Sequence, residues 1–139
     1  MKSGFVELPN KEEIYYVEEN IEFLGKEASV LFVHGNSSSS FSWLKTISGI
    51  KDKIKRHIIA LDQRGFGKSS YKNHCNRFIN WAEDLRDFCK KKGVKKCIVN
   101  GWSFGGGVSM KLAEISPELV VKLILTNSVP HTGIKIMNG

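Results

Sequence analysis

The chain has 139 residues, 41% of them hydrophobic and 25% charged, which is the composition of one globular domain and well away from that of a disordered chain. Its net charge of +7 is scattered and gathers only at residues 51–56 and at Lys90, Lys91, Lys92, Lys95 and Lys96. It therefore reads as a solvated basic surface, with no nucleic-acid partner. No apolar run approaches a membrane span, residues 1–7 lack the long apolar core of a secretory leader, and Cys75, Cys89 and Cys97 have no metal-type spacing. These features read as a cytoplasmic protein with reduced thiols, no membrane partner and no metal.

Residues 5–8 and 13–18 read as two short strands joined by the Pro9-Asn10 turn, a hairpin at a sheet edge. Residues 21–26 fit no single period. Ser29-Val30-Leu31-Phe32-Val33 is a continuous apolar run, the pattern of a strand buried on both faces of a parallel sheet. It ends in His34-Gly35-Asn36 and a polar loop of four serines, after which Trp43, Leu44, Ile47 and Ile50 mark a helix. Residues 57–61 form the next buried strand and lead into Asp62-Gln63-Arg64-Gly65-Phe66-Gly67-Lys68-Ser69, a structured loop, and then a polar stretch at 70–76. Phe78, Trp81, Ala82, Leu85, Phe88 and Cys89 outline an amphipathic helix that Gly93 stops.

The chain is organised around the stretch from Cys97 to Ile115. Residues 97–99 predict a short buried strand, Gly101-Trp102-Ser103-Phe104-Gly105 follows at once, and Val108, Leu112, Ala113 and Ile115 then recur at helical spacing. A serine on such a strand-to-helix corner is lifted out of the sheet on a tight turn. The flanking glycines let the helix approach where a Cβ would clash. Ser103 is therefore the candidate nucleophile. Ser116-Pro117 closes the helix, residues 120–125 predict a last apolar strand, and 127–139 form a turn-rich tail.

Strands alternating with helices predict an α/β fold with a mostly parallel sheet. Ligands in such sheets sit beyond the carboxyl ends of the strands. His34-Gly35-Asn36, Asp62, Ser103 and Asn127 all fall at such ends and so converge on one rim.

Together these stretches resemble the N-terminal half of an α/β-hydrolase of the serine type with an esterase-like elbow. The marks stand in order: His34-Gly35-Asn36 after the third strand, Asp62-x-Arg64-Gly65-x-Gly67-x-Ser69 after the fourth, and Gly101-x-Ser103-x-Gly105-Gly106 after the fifth. The resemblance runs from about residue 5 to about residue 129. It implies an α/β-hydrolase fold truncated after the sixth strand, with an N-terminal hairpin and helices on both faces. Residues 1–139 would then be a partial domain that lacks the cap region and the C-terminal strands. It also implies Ser103 as nucleophile, the backbone amides of Asn36 and Phe104 as oxyanion donors, and Gly35, Trp102 and Phe41 at the substrate. His34 would fix its loop, and Asp62 with Arg64 would be a loop-holding pair. No cofactor is implied, and the substrate would be a small ester or related acyl compound, turned over through an acyl-enzyme. The asparagine after His34-Gly35 is also similar to the halide-binding asparagine of haloalkane dehalogenases. Those enzymes use an aspartate nucleophile, and the serine here sets that resemblance aside.

The chain departs from the family pattern after the elbow. There the acid and histidine should follow the serine, yet the only acidic residues after Ser103 are Glu114 and Glu118 and the only histidine is His131. Residues 120–125 would also form a bare apolar edge with Lys122 alone to blunt it, and such edges seek partners. The expectation is self-association, or docking of a missing C-terminal half, through that edge. Two readings are open: a serine hydrolase whose triad is completed elsewhere, and an inactive fragment or non-enzymatic binding module on the same scaffold.

Overall fold

The computed structural model describes residues 1–132. Six strands form one sheet in the order β1-β2-β4-β3-β5-β6. β1 (Lys2–Glu7) and β2 (Glu13–Glu19) make an antiparallel edge hairpin. β2 pairs antiparallel with β4 (Ile58–Leu61), whereas β3 (Ser29–Val33) lies parallel between β4 and β5 (Cys97–Trp102). β6 (Val120–Thr126) extends the sheet parallel to β5. The first strand starts earlier than its apolar residues suggest, because Lys2 and Ser3 pair with Glu18 and Val17. Leu8 drops out of that strand and is buried in the turn, where its N–H donates to the Glu12 carbonyl at 2.8 Å.

Alternation along β3 divides the core. Leu31 and Val33 face a large cluster with α2 (Phe78–Lys92) and α3 (Phe104–Ile115), whereas Phe32 faces a smaller one under α1 (Leu44–Ile50). Helices thus cover both faces, as period-two side-chain placement requires of a strand buried on both sides. The helix expected at Trp43–Ile50 is split: a 3-10 turn at Ser40–Trp43 precedes α1. A second 3-10 turn at Ile21–Phe23 occupies the stretch without a clear period. α2 ends on Gly93 at φ 75°, the left-handed stop read from the sequence.

Opposite the rim, the N-terminal ends of β3 and β4 meet around a buried polar relay. His57 Nε2 lies 2.8 Å from Glu18 Oε2, its Nδ1 lies 2.9 Å from Ser29 Oγ, and Lys92 Nζ donates to Glu18 Oε1 at 3.0 Å. Lys92, one of the clustered lysines, is therefore a structural tie between α2 and β2. Burial pulls the His57 pKa below the ordinary value of 6.5 against the pull of Glu18. The unfolded chain binds this proton at a higher pH than the folded one does. Stability should be level above about pH 7 and fall as the pH drops below 6.5, by up to about 1.4 kcal/mol per pH unit for each such histidine. Urea unfolding across pH 5–8 measures this; a flat profile would mean that the folded and unfolded chains bind the His57 proton equally well.

Among the described residues β6 pairs on one side only, and Val121, Ile124 and Leu125 are each more than two-fifths exposed. If the chain associates through this edge, Ile124→Lys should shift it toward monomer in sedimentation. A wild-type chain that is already a sharply melting monomer, with slow hydrogen exchange along 120–125, would refute the edge as a contact. The alternative, that the tail covers the edge, rests largely on residues 133–139, which lie outside those described.

Candidate active site

Ser103 sits between β5 and α3 with φ 53° and ψ −119°, a conformation that side-chain-bearing residues rarely adopt. Such strain costs on the order of 1–3 kcal/mol and persists only where neighbours enforce it. Here they do. The Ser103 N–H donates to the Thr126 carbonyl at 3.1 Å, and its carbonyl accepts from Gly106 N–H at 2.9 Å and Val129 N–H at 3.1 Å. A Cβ on Gly105 would collide with the carbonyl oxygens of Val33 and His34, and one on Gly106 would collide with Ser128. The first turn of α3 therefore lies directly on the end of β3. This fold leaves the Phe104 N–H at the first residue of α3, where no intrahelical acceptor exists.

The loop after β3 reaches the same corner. A Cβ on Gly35 would stand 3.0 Å from the Trp102 ring and 3.2 Å from Ser103 Cβ. The His34-Gly35-Asn36 loop and the serine elbow, 67 residues apart in sequence when counted from Asn36 to Ser103, are thus in direct contact. His34 is fully buried: its Nε2 accepts from Gln63 N–H at 2.9 Å and its Nδ1 lies 2.7 Å from the Gly35 carbonyl oxygen. Burial holds its pKa below the ordinary value. It is a loop anchor, as read from the sequence.

Asp62 and Arg64 do not pair with each other. Asp62 accepts from Ser40 N–H at 2.7 Å and Lys68 N–H at 2.8 Å, which joins the loops after β3 and β4. Arg64 turns to α2 and grips Asp84 with two bonds of 2.7 and 2.6 Å; Asp84 raises the guanidinium pKa further. The expected pair fails because each side chain has another partner: the Ser40 and Lys68 amides take both Asp62 oxygens, and Asp84 takes the Arg64 guanidinium. Asp84 has no sequence signal beyond its place in α2, and Glu12 has none either. Buried Glu12 accepts from Lys72 N–H at 2.8 Å and Asn73 N–H at 2.7 Å, pinning the polar stretch after β4 to the hairpin turn.

Of the residues expected at the substrate, Trp102 is half-buried beside Gly35, and Asn36 is exposed at the rim. Phe41 is 78% exposed, so it stands on the surface of its loop and lines nothing enclosed. The Phe104 ring packs among Phe66, Phe78 and Trp81. No histidine among the described residues bonds to the Ser103 hydroxyl: His34 anchors its loop, His57 belongs to the relay at the far end of the sheet, His74 lies 3.2 Å from the Tyr71 hydroxyl, and His131 is exposed two residues past Val129. Buried Cys75 has its thiol pushed up to about 12, mainly by burial, and is inert. No group of three or more His, Cys, Asp or Glu among the described residues could hold a metal ion.

Residues 28–138 match the model of the alpha/beta hydrolase fold family. The chain belongs to this family. It is 34% identical over 106 residues to Epoxide hydrolase 1 of Caenorhabditis elegans, covering 75% of this chain and 26% of that one. It is 26% identical over 110 residues to the pimeloyl-[acyl-carrier protein] methyl ester esterase of Nitrosospira multiformis, covering 79% of this chain and 42% of that one. A crystal structure of a membrane phospholipase A, a bacterial virulence factor, superposes with a TM-score of 0.82 at 28% identity, over 92% of this chain and 40% of the other. The chain thus spans about a quarter to two-fifths of the length of these relatives. No helix among the described residues is long and apolar enough to cross a membrane.

The hydrolase elbow tolerates no added bulk at its closest contact. Gly105→Ala should destabilise the fold by about 1–3 kcal/mol, because the obstructing atoms are backbone carbonyls that cannot swing aside. A urea midpoint equal to that of the wild type would show that the loop after β3 yields instead.

Proposed function

We propose that this chain carries the nucleophile and the oxyanion donors of a serine hydrolase that acts on carboxylic esters or related acyl compounds. The observation that carries the reading is the seating of Gly35 on Ser103. Asn36 follows Gly35 directly and Phe104 follows Ser103, so this contact supports pairing the two amides as oxyanion donors. Ser103 Oγ attacks the acyl carbon, the carbonyl electrons move onto oxygen, and the two N–H groups stabilise that charge. Each such donor is worth on the order of 3–4 kcal/mol in related sites. Collapse breaks the ester C–O bond; the leaving oxygen takes up the proton released by the serine hydroxyl and departs as the alcohol, leaving an acyl-serine, which water then hydrolyses to the acid and free serine. Small-molecule esters are the implied substrates; the names of the esterase and the phospholipase among the relatives agree with this class.

The epoxide hydrolase relatives suggest another substrate, but the chemistry of the nucleophile argues against it. A serine that opened an epoxide would form a dialkyl ether, and water does not cleave that bond under these conditions. Acyl transfer is the route on which a serine adduct can turn over.

A second reading, a scaffold without catalysis, is favoured by one observation: no histidine among the described residues bonds to the Ser103 hydroxyl. Without a base a serine hydroxyl is a weak nucleophile near pH 7. The chain alone should therefore hydrolyse p-nitrophenyl acetate slowly, well below the ordinary enzymatic rate of about 10 per second. Ser103→Ala should remove that activity, and a fluorophosphonate should label Ser103 weakly and no other serine. Hydrolysis that survives Ser103→Ala, or labelling within residues 37–40, would refute Ser103 as nucleophile. No hydrolysis above buffer would favour the scaffold reading.

A further inference from the structure

The oxyanion loop is held by a residue that the elbow and His-Gly-Asn motifs do not include. Gln63 follows β4 and is buried, and it bonds to His34 twice. Its backbone N–H donates to His34 Nε2 at 2.9 Å, and its side-chain amide donates to the His34 carbonyl oxygen at 2.7 Å. A backbone N–H can only donate, so His34 Nε2 accepts and carries no proton. The ring proton is therefore on Nδ1, which donates to the Gly35 carbonyl at 2.7 Å.

These bonds fix two successive carbonyls of the loop. A trans peptide is planar, with its N–H opposite its C=O. With the His34 carbonyl held by Gln63 and the Gly35 carbonyl held by the His34 ring, the N–H groups of Gly35 and Asn36 face away from that anchor. Gly35 itself lies on Trp102 and Ser103. The arrangement has a built-in cost: Gln63 Oε1 is buried with no hydrogen-bond partner among the described residues. An apolar side chain of the same length would avoid that cost. Retaining it is understandable if the amide donor serves the loop.

We propose that Gln63 is a positioning residue that aims the Asn36 amide at the oxyanion; this rests on the serine hydrolase reading of the site. Gln63 touches no reacting atom and acts through the His34 peptide. Replacing it with methionine keeps the backbone donor and the side-chain length while removing both the amide clamp and the orphan oxygen.

The test compares wild type with Gln63→Met. On p-nitrophenyl acetate, kcat should fall about tenfold with KM within about twofold, since only the developing charge loses a well-aimed donor. The thermal midpoint should hold or rise. Independently of activity, 15N relaxation should show lower order parameters for Gly35 and Asn36 in the variant, with other amides unchanged. In the wild-type chain, one Gln63 side-chain amide proton should exchange slowly and the His34 ring should be the Nδ1–H tautomer. These two wild-type readings do not require the variant to fold. Unchanged kcat and unchanged loop order in Gln63→Met would overturn the proposal, as would a fast-exchanging Gln63 amide or the opposite tautomer. If the loop loosens in the variant but wild type shows no hydrolysis, the positioning role holds and the serine hydrolase reading fails.

Discussion

The approach of the first turn of α3 to the end of β3 is the contact on which the rest of the rim depends. Gly105 lies against the Val33 and His34 carbonyls with no room for a side chain between them. That approach presses the strand-to-helix corner tight, holds Ser103 in its strained conformation and brings Gly35 against it. Main chain against main chain cannot be repacked by rotating a side chain. The geometry of the elbow is therefore set by the sheet and not by the serine.

Around this contact, the loops of the rim are held by buried polar groups and not by apolar packing alone. Asp62 joins the loops after β3 and β4, Arg64 ties the second of them to α2 through Asp84, and Glu12 ties it to the hairpin turn. Removing one partner from such a buried charged group costs about 3–5 kcal/mol. The network therefore tends to hold together as a unit. Surface loops are normally the mobile parts of a fold; here buried bonds restrain the loops after β3 and β4. At the other end of the sheet, the relay of Ser29, His57, Glu18 and Lys92 does the same for the N-terminal ends of β3 and β4.

The rim thus presents Ser103, the proposed nucleophile, with no histidine among the described residues bonded to its hydroxyl. Oxyanion donors and binding alone leave some catalysis over water, but far less than a complete triad. Among the described residues β6 pairs on one side only and shows apolar side chains to solvent.

The strands of the parallel sheet, both long helices and the elbow were legible in the sequence because their signals are local. Five apolar residues in a row at 29–33, the helical spacing from Phe78 to Cys89 with Gly93 behind it, and a serine flanked by glycines each follow from backbone sterics and burial within one segment. The convergence of His34, Asp62 and Ser103 on one rim was legible too, since parallel strands all end on the same side. What only the tertiary structure decided is which polar groups meet. Arg64 bonds Asp84 and not Asp62, Gln63 clamps His34, Lys92 reaches Glu18, and Phe41 points to solvent. Those pairings join residues 20 to 74 positions apart, and Phe41 leaves its 3-10 turn toward solvent. Hydrogen bonding is short-ranged and directional, so a partner is set by where the folded chain brings each group, and spacing along the sequence carries no record of that.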